Sequence, residues 1–208
     1  MENRGAQAFP VLRWVGVAYV VTWAPIYLKY WDKEHFLYLC NVAVLLTCAG
    51  LWFGSPLLLS SQTVASAVIG LVWGLNVAWG AVNHGQGLMG GTEYMWDASY
   101  SWWVRSLSFD HLTVPAAAFW GAWKLGYDRR AWTFQSALAA VVLVAGRVLA
   151  PGHNLNFVEK ELVTYRTWGP PPAHLLFIWA VLVLVVYWPV HAVLMRVMPA
   201  GQRQQTSP

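Results

Sequence analysis

Long apolar segments separated by short polar breaks run through most of the chain. Each segment approaches about 20 residues, the length of a helix that crosses the ~30 Å hydrocarbon core of a bilayer. The segments lie near 11–28, 36–53, 62–82, 108–125, 131–150 and 172–195. This pattern predicts an all-α fold, a polytopic membrane helix bundle of about six transmembrane helices.

Charged and helix-breaking residues mark the connections between these segments. The connections fall at 29–34, 54–56, 83–106, 124–130 and 151–172. No internal repeat divides the chain, so we expect a single membrane domain over residues 1–200. The polar residues 201–208 are expected to form a flexible tail.

Composition agrees with a membrane location. Hydrophobic residues make up 58% of the 208 residues and charged residues 11%, and the mean hydropathy is +0.44. This is too little charge to solvate a soluble globule, so lipid must cover much of the surface. The net charge of +4 includes no basic run of the kind that binds nucleic acid. The expected partners are therefore membrane lipids, with other membrane proteins or a second copy of the chain as further candidates.

Six spans would place both termini and the turns 54–56 and 124–130 on one side of the membrane, here called the near face. The connections 29–34, 83–106 and 151–172 would lie on the other side, here called the far face. Lys and Arg are slightly more numerous at the near face. The positive-inside rule then predicts an integral membrane protein with both termini in the cytoplasm.

Most side chains that could carry chemistry belong to the far face. They are Cys40, His35, His84, Asp110, His111, Arg147, His153, Asn154 and His174, whereas His191 lies by the near face. Ionisable groups at membrane depth are costly unless they face a polar cavity or a partner, so Arg147 and His111 are functional candidates. The alternative is that each one snorkels to the interface or caps a helix.

The two cysteines differ in their expected roles. Cys40 and Cys48 lie eight residues apart on one predicted helix, about 12 Å along its axis, so they cannot form a disulfide with each other. Cys48 lies in the middle of its span and is interpreted as a packing residue. Cys40 lies near the far face, where it could meet His111. A cysteine and a histidine indicate a nucleophile and its base only if their side chains converge.

Five short motifs resemble those of the YwaF-type bacterial membrane proteins. They are His35-Phe-Leu-Tyr-Leu-Cys40-Asn41, the stretch 69–76, Ser108-Phe-Asp-His111-Leu-Thr-Val, Gly152-His-Asn154-Leu-Asn-Phe157 and Trp168-Gly-Pro-Pro. That family is similar to a eukaryotic transmembrane phospholipid acyltransferase and, more remotely, to androgen-induced hydrolases of fatty-acid esters. The resemblance implies a catalytic cysteine at Cys40 and a catalytic histidine at His111. Leu39 and Asn41 depart from the proline and histidine that flank the acyltransferase cysteine.

The resulting hypothesis is a membrane-embedded acyltransferase or lipid-ester hydrolase. His111 would accept the Cys40 thiol proton, and the thiolate would form a thioester with the acyl group. Arg147, His153 and Asn154 are candidates for binding the substrate or the oxyanion. Asp110 cannot be assumed to orient His111, because adjacent helical residues point about 100° apart. No metal site and no cofactor are predicted.

Three other functions stay open. The first is a non-catalytic integral membrane subunit that packs against partners or binds a lipid or pigment. The second is a metal-dependent enzyme that uses the far-face histidines, although none of them are spaced i, i+3 or i, i+4. The third is a proton-coupled transporter, which the scarcity of acids within the spans disfavours. The glycine-rich connection 83–106 could be a lid over a lipid entrance or a plain surface loop.

Overall fold

Six long helices account for most of residues 7–198, which are the residues that the computed structural model describes. They are α1 (Leu12–Tyr30), α2 (Leu39–Phe53), α3 (Pro56–Val82), α4 (Asp110–Leu125), α5 (Ala131–Leu149) and α6 (Pro171–Val197). No strand occurs in this described part of the chain. The predicted all-α helix bundle is therefore confirmed. The predicted tail 201–208, and residues 1–6 and 199–200 of the predicted domain, lie outside the described residues.

Three of the helices are long and apolar enough to cross a membrane, namely α3, α5 and α6. Large apolar side chains on them face outward, including Leu71, Val141 and Leu184, each 66% exposed. Such a surface is stable against lipid and unfavourable in water. These features are consistent with an integral membrane protein. Helix α2 is also apolar but has 15 residues, which span about 22 Å, so crossing by α1, α2 and α4 stays a prediction.

Helix α3 begins at Pro56, six residues before the expected start of its apolar segment. Ser55 caps the helix by accepting a hydrogen bond from the Leu58 N–H at 3.4 Å, and proline suits the first helical position. The polar residues that follow are buried between helices rather than exposed in a loop. Ser60 Oγ, for example, accepts a hydrogen bond from the Asp128 N–H at 3.0 Å. Packing against a distant segment thus allows the helix to begin before the apolar segment that hydropathy marks.

Helices α3 and α4 approach each other closely at Gly70. A Cβ atom at this position would collide with the main-chain oxygen of His111 and would lie 2.9 Å from Pro115 Cγ. A residue without a side chain is therefore required for the two backbones to meet here. This contact positions the first turn of α4, which carries His111.

The connection between α3 and α4 is held against α3. Asn76, which is buried, donates to the Met89 carbonyl and to Thr92 Oγ1, both at 2.8 Å, and accepts from the Met89 N–H at 3.0 Å. Further along, Arg105 donates to the Met95 carbonyl at 2.8 Å. Of the two expectations for this connection, these bonds favour a fixed surface loop over a lid.

Candidate functional site

The first turns of α2 and α4 bring the predicted catalytic pair together. Cys40 is the second residue of α2, and His111 is the second residue of α4. The Cys40 thiol lies beside the His111 imidazole and donates a hydrogen bond to Asn41 Oδ1 at 3.9 Å. Both side chains are partly exposed. A thiol and an imidazole therefore meet at a position that can be reached from outside the bundle.

Asp110 contacts His111, a contact that could not be assumed from the sequence. Its Oδ1 atom lies 2.7 Å from His111 Nδ1, and the Ser108 carbonyl lies 3.0 Å from the same nitrogen. Asp110 is the first residue of α4 and directly follows the 3₁₀ turn Leu107–Phe109. The residues before it are therefore not regular α-helix, and its carboxylate bends beside the imidazole of the next residue. Two acceptors at Nδ1 require the proton to reside there, which leaves Nε2 as the basic nitrogen.

The Trp73 indole packs against the imidazole of His111. The Trp73 ring stacks on the His111 ring with centroids 4.8 Å apart and an interplanar angle of 17°. Trp73 is itself 8% exposed and meets Phe109 edge-on at 6.0 Å. Stacking, the Asp110 bond and the close contact at Gly70 together restrict the ring to one orientation.

Two asparagines that were not among the predicted site residues build the support for Cys40. Asn41 donates to the Tyr27 hydroxyl and to the His35 carbonyl, both at 2.8 Å. Asn156 accepts from the Leu39 N–H and donates to the Leu37 carbonyl, both at 2.8 Å. The first turn of α2 is therefore joined both to α1 and to the loop after α5.

The sequence contains only a weak indication that Asn156 joins its loop to α2. The residue lies in the motif that also contains Asn154, and both adopt a left-handed backbone, with φ of 53° and 48°. Asparagine tolerates this conformation better than most residues. The motif therefore marked the loop, but it did not show which of the two amides reaches α2.

Arg147 and Asn154 find their partners within the loop after α5. Arg147 pairs with Glu159 at 2.9 Å, and Asn154 Oδ1 accepts from the N–H groups of Glu159 and Lys160 at 2.8 and 2.9 Å. Within residues 7–198, no hydrogen bond or ion pair joins either residue to Cys40 or His111. The bonds of both residues therefore stabilise the loop after α5.

The two best-defined cavities do not bring the predicted site residues together. A cavity of about 200 Å³ is lined by Arg147, Glu159, Thr167 and His174 among others. A second cavity of about 470 Å³ lies at the opposite end of the bundle, between Leu12 and Trp120. Neither of these two best-defined cavities is lined by Cys40 or His111. Arg147 therefore lines a cavity that contains neither Cys40 nor His111.

His153 lies beside His35 and not beside the Cys40–His111 pair. The two imidazole rings meet edge-on with centroids 5.8 Å apart, and a ligand atom of Asp32 lies within 4.8 Å of one on each histidine. Burial lowers the pKa of His35 below its ordinary value, an effect that nearby Asp32 opposes. Sequence analysis missed this cluster because its two histidines are far apart in the chain.

Cys48 lies against α1, as its interpretation as a packing residue implies. Its thiol contacts the Gly16 carbonyl at 3.5 Å. A Cβ atom added at Gly16 would lie 3.2 Å from Cys48 Sγ, so the two helices pack tightly here. Cys48 thus provides a matched control for Cys40 on the same helix.

No family model, curated protein or solved structure matches this chain. A functional assignment therefore depends on the geometry of the site and on the short motifs that form it.

Proposed function

We propose that this chain is a membrane-embedded acyltransferase or lipid-ester hydrolase in which Cys40 is the nucleophile and His111 is its base. The observation that carries the proposal is the order of contacts at the site. The Cys40 thiol lies beside the His111 imidazole, and Asp110 Oδ1 lies 2.7 Å from Nδ1 of the same ring. A nucleophile, a base and a carboxylate that orients the base are the groups that covalent acyl transfer requires.

The chemistry follows from the tautomer of His111. With its proton held on Nδ1, the ring accepts the Cys40 thiol proton at Nε2, and the sulfur attacks the ester carbonyl carbon. When the C–O bond breaks, Nε2 returns the proton to the departing alcohol, and a thioester remains on Cys40. Water or an acceptor hydroxyl then attacks the thioester and loses its proton to Nε2. The C–S bond breaks, and the sulfur regains that proton.

The first turn of α2 offers donors for the oxyanion. Cys40 and Asn41 are its second and third residues, and N–H groups at these positions have no carbonyl one turn earlier to bond. The positive end of the helix dipole also favours a negative oxygen. In the proposal these two N–H groups bind the oxyanion. They replace the candidates Arg147, His153 and Asn154 that the sequence suggests for this role.

The position of the site suits a lipid ester. Trp31 stacks on Tyr100 with centroids 5.7 Å apart, and Tyr30 meets Trp103 edge-on at 6.2 Å. Such aromatic clusters are typical of the membrane interface, where the ester groups of glycerolipids lie. The motifs that resemble YwaF-type proteins support the same assignment. The proposal includes a bacterial inner membrane location with both termini in the cytoplasm.

The proposal can be tested with the purified protein in detergent, assayed against phospholipid and fatty-acyl ester substrates. Cys40→Ala should abolish acyl release, and mass spectrometry of the wild type should find the acyl group on Cys40. Because the substitution removes one sulfur atom, it should cost at most ~1–2 kcal/mol of stability. Cys48→Ala makes the same change deeper in α2 and should retain activity. Full activity in Cys40→Ala would refute the mechanism.

One observation favours a second candidate, a non-catalytic membrane subunit. The two best-defined cavities contain neither Cys40 nor His111, whereas enzymes usually bind substrates in a concave site. Thiol labelling separates the two functions. Preferential labelling of Cys40 supports the enzyme, and equal labelling of both cysteines in a folded sample supports the subunit.

A further inference from the structure

We propose that Asp32, His35 and His153 form a binding site for a divalent transition-metal ion. One ligand atom from each residue lies within 4.8 Å of the other two. Tetrahedral Zn²⁺ with bonds of about 2.1 Å holds its ligand atoms about 3.4 Å apart. Asp32 and His153 are exposed, so small rotations of their side chains can close the difference.

The imidazole of His35 is incompletely hydrogen-bonded. Its Nδ1 atom is buried and makes no well-aligned hydrogen bond to any residue between 7 and 198, although the Asp32 main chain interacts with the ring. A buried ring nitrogen without a partner loses its hydration without compensation. Coordination to a metal ion would supply that partner. The edge-on approach of the His153 ring to His35 leaves room between the two rings for ligand bonds to converge.

The backbone that carries the three ligands is already ordered. The His35 N–H donates to the Asp32 carbonyl at 3.0 Å, which closes the turn that presents both side chains. On the other loop, the His153 N–H donates to the Ala150 carbonyl at 3.2 Å, and the Gly152 N–H donates to Glu159 Oε1 at 2.8 Å. Ligands on ordered loops lose little entropy when an ion binds.

The donor set indicates the class of ion. Two imidazoles and one carboxylate favour Zn²⁺ and its first-row neighbours, whereas Mg²⁺ and Ca²⁺ prefer sites made of oxygen atoms. Three protein ligands would leave at least one coordination position for water or another ligand. This assignment concerns binding alone and does not depend on the proposed chemistry at Cys40.

A bound ion would connect two segments that flank the first turn of α2. Asp32 and His35 precede α2, and His153 follows α5. Asn156 already joins the same two segments through its bonds to Leu37 and Leu39. The ion would add a second connection and should therefore raise the thermal stability of this end of the bundle.

The test is titration calorimetry with ZnCl₂ on the full chain in detergent after removal of any affinity tag. The wild type should bind one Zn²⁺ per chain, and Mg²⁺ at the same concentration should not compete. His153→Ala should weaken Zn²⁺ binding at least tenfold because it removes one of three ligands. His84→Ala removes another exposed far-face histidine outside the cluster and should leave the affinity unchanged.

A second variant and a second measurement distinguish the loss of a metal ligand from misfolding. Asp32→Asn preserves side-chain shape but removes the charge, so it should also weaken Zn²⁺ binding. Each protein is compared with itself without metal, because His84 has a φ of 53°, at which alanine is strained. Zn²⁺ should raise the unfolding midpoint only in the wild type and His84→Ala. The proposal is overturned if the wild type does not bind Zn²⁺. It is also overturned if both ligand variants bind like the wild type, or if His84→Ala weakens binding as much as His153→Ala does.

Discussion

Asp110 Oδ1 lies 2.7 Å from Nδ1 of His111, its immediate neighbour in the chain. The contact matters because it determines which imidazole nitrogen is free to act as a base. Asp110 is 6% exposed, so water competes little with the histidine for the carboxylate. In the proposed enzyme, Asp110 acts through His111 and is a positioning residue.

Asp110→Asn should therefore reduce acyl transfer by about 100-fold or more, in the range of general-base catalysis. An asparagine can present its NH₂ group to Nδ1 and so favour the tautomer whose proton blocks Nε2. The loss should appear in kcat with KM little changed, as steady-state assays would show. Asp97→Asn, an exposed acid in the connection between α3 and α4, is the control. An unchanged kcat in Asp110→Asn would show that this carboxylate has no role in orienting the base.

Cys40 should react faster than Cys48 with a thiol-specific probe. Cys40 lies beside a base and is partly exposed, whereas Cys48 is packed against Gly16. His111→Ala should slow the labelling of Cys40 and leave that of Cys48 unchanged, because only one thiol uses the imidazole. Labelling kinetics followed by peptide mass spectrometry would measure both sites in one sample. A His111→Ala protein that labels Cys40 at the wild-type rate would contradict the pairing.

Gly70→Ala should destabilise the protein and slow the labelling of Cys40. The new methyl group would collide with the His111 main-chain oxygen, so α4 must move away from α3. Overpacking of this kind typically costs about 1–3 kcal/mol. Gly146→Ala is the matched control, since its Cβ atom would lie 3.7 Å from the nearest atom, Leu155 Cβ. Thermal unfolding in detergent should show a lower midpoint for Gly70→Ala alone.

Asn156→Ala should disturb the first turn of α2 more than Asn154→Ala does. Both substitutions place alanine at a left-handed φ, so the backbone strain is similar in the two variants. Only Asn156 bonds to Leu37 and Leu39, whereas the bonds of Asn154 stay in its own loop. Hydrogen exchange at 37–41 should increase in Asn156→Ala and stay near the wild-type level in Asn154→Ala. Equal exchange in the two variants would rule out the connection through Asn156.

Single cysteines in a Cys40→Ala, Cys48→Ala background should test whether α4 crosses the membrane. Ser99→Cys lies before α4 and Arg130→Cys lies after it, so an impermeant reagent should reach them from opposite sides. Gln7→Cys should share the side of Arg130→Cys, as six spans require. Labelling of Ser99→Cys and Arg130→Cys from the same side would show that α4 does not span.

The sequence by itself determined the all-α class and the approximate positions of the six helices, because bilayer-length apolar segments and their breakers are local properties of the chain. It also drew attention to Cys40 and His111, since both open apolar segments at the same expected end. The early start of α3 was missed because the burial of Ser60 depends on distant packing, such as its hydrogen bond with Asp128, 68 residues away.

Only the tertiary structure decided which polar residues meet. It placed Asp110 against His111, selected Asn156 rather than Asn154 to reach α2, and brought His153 to His35 and Asp32. It also separated Arg147 from the Cys40–His111 pair by giving it Glu159 as a partner. Hydropathy places a residue at a depth along its helix, but rotation about the helix axis and the path of each loop decide its neighbours. Those are settled by packing between distant segments, such as the close contact between Gly70 and His111.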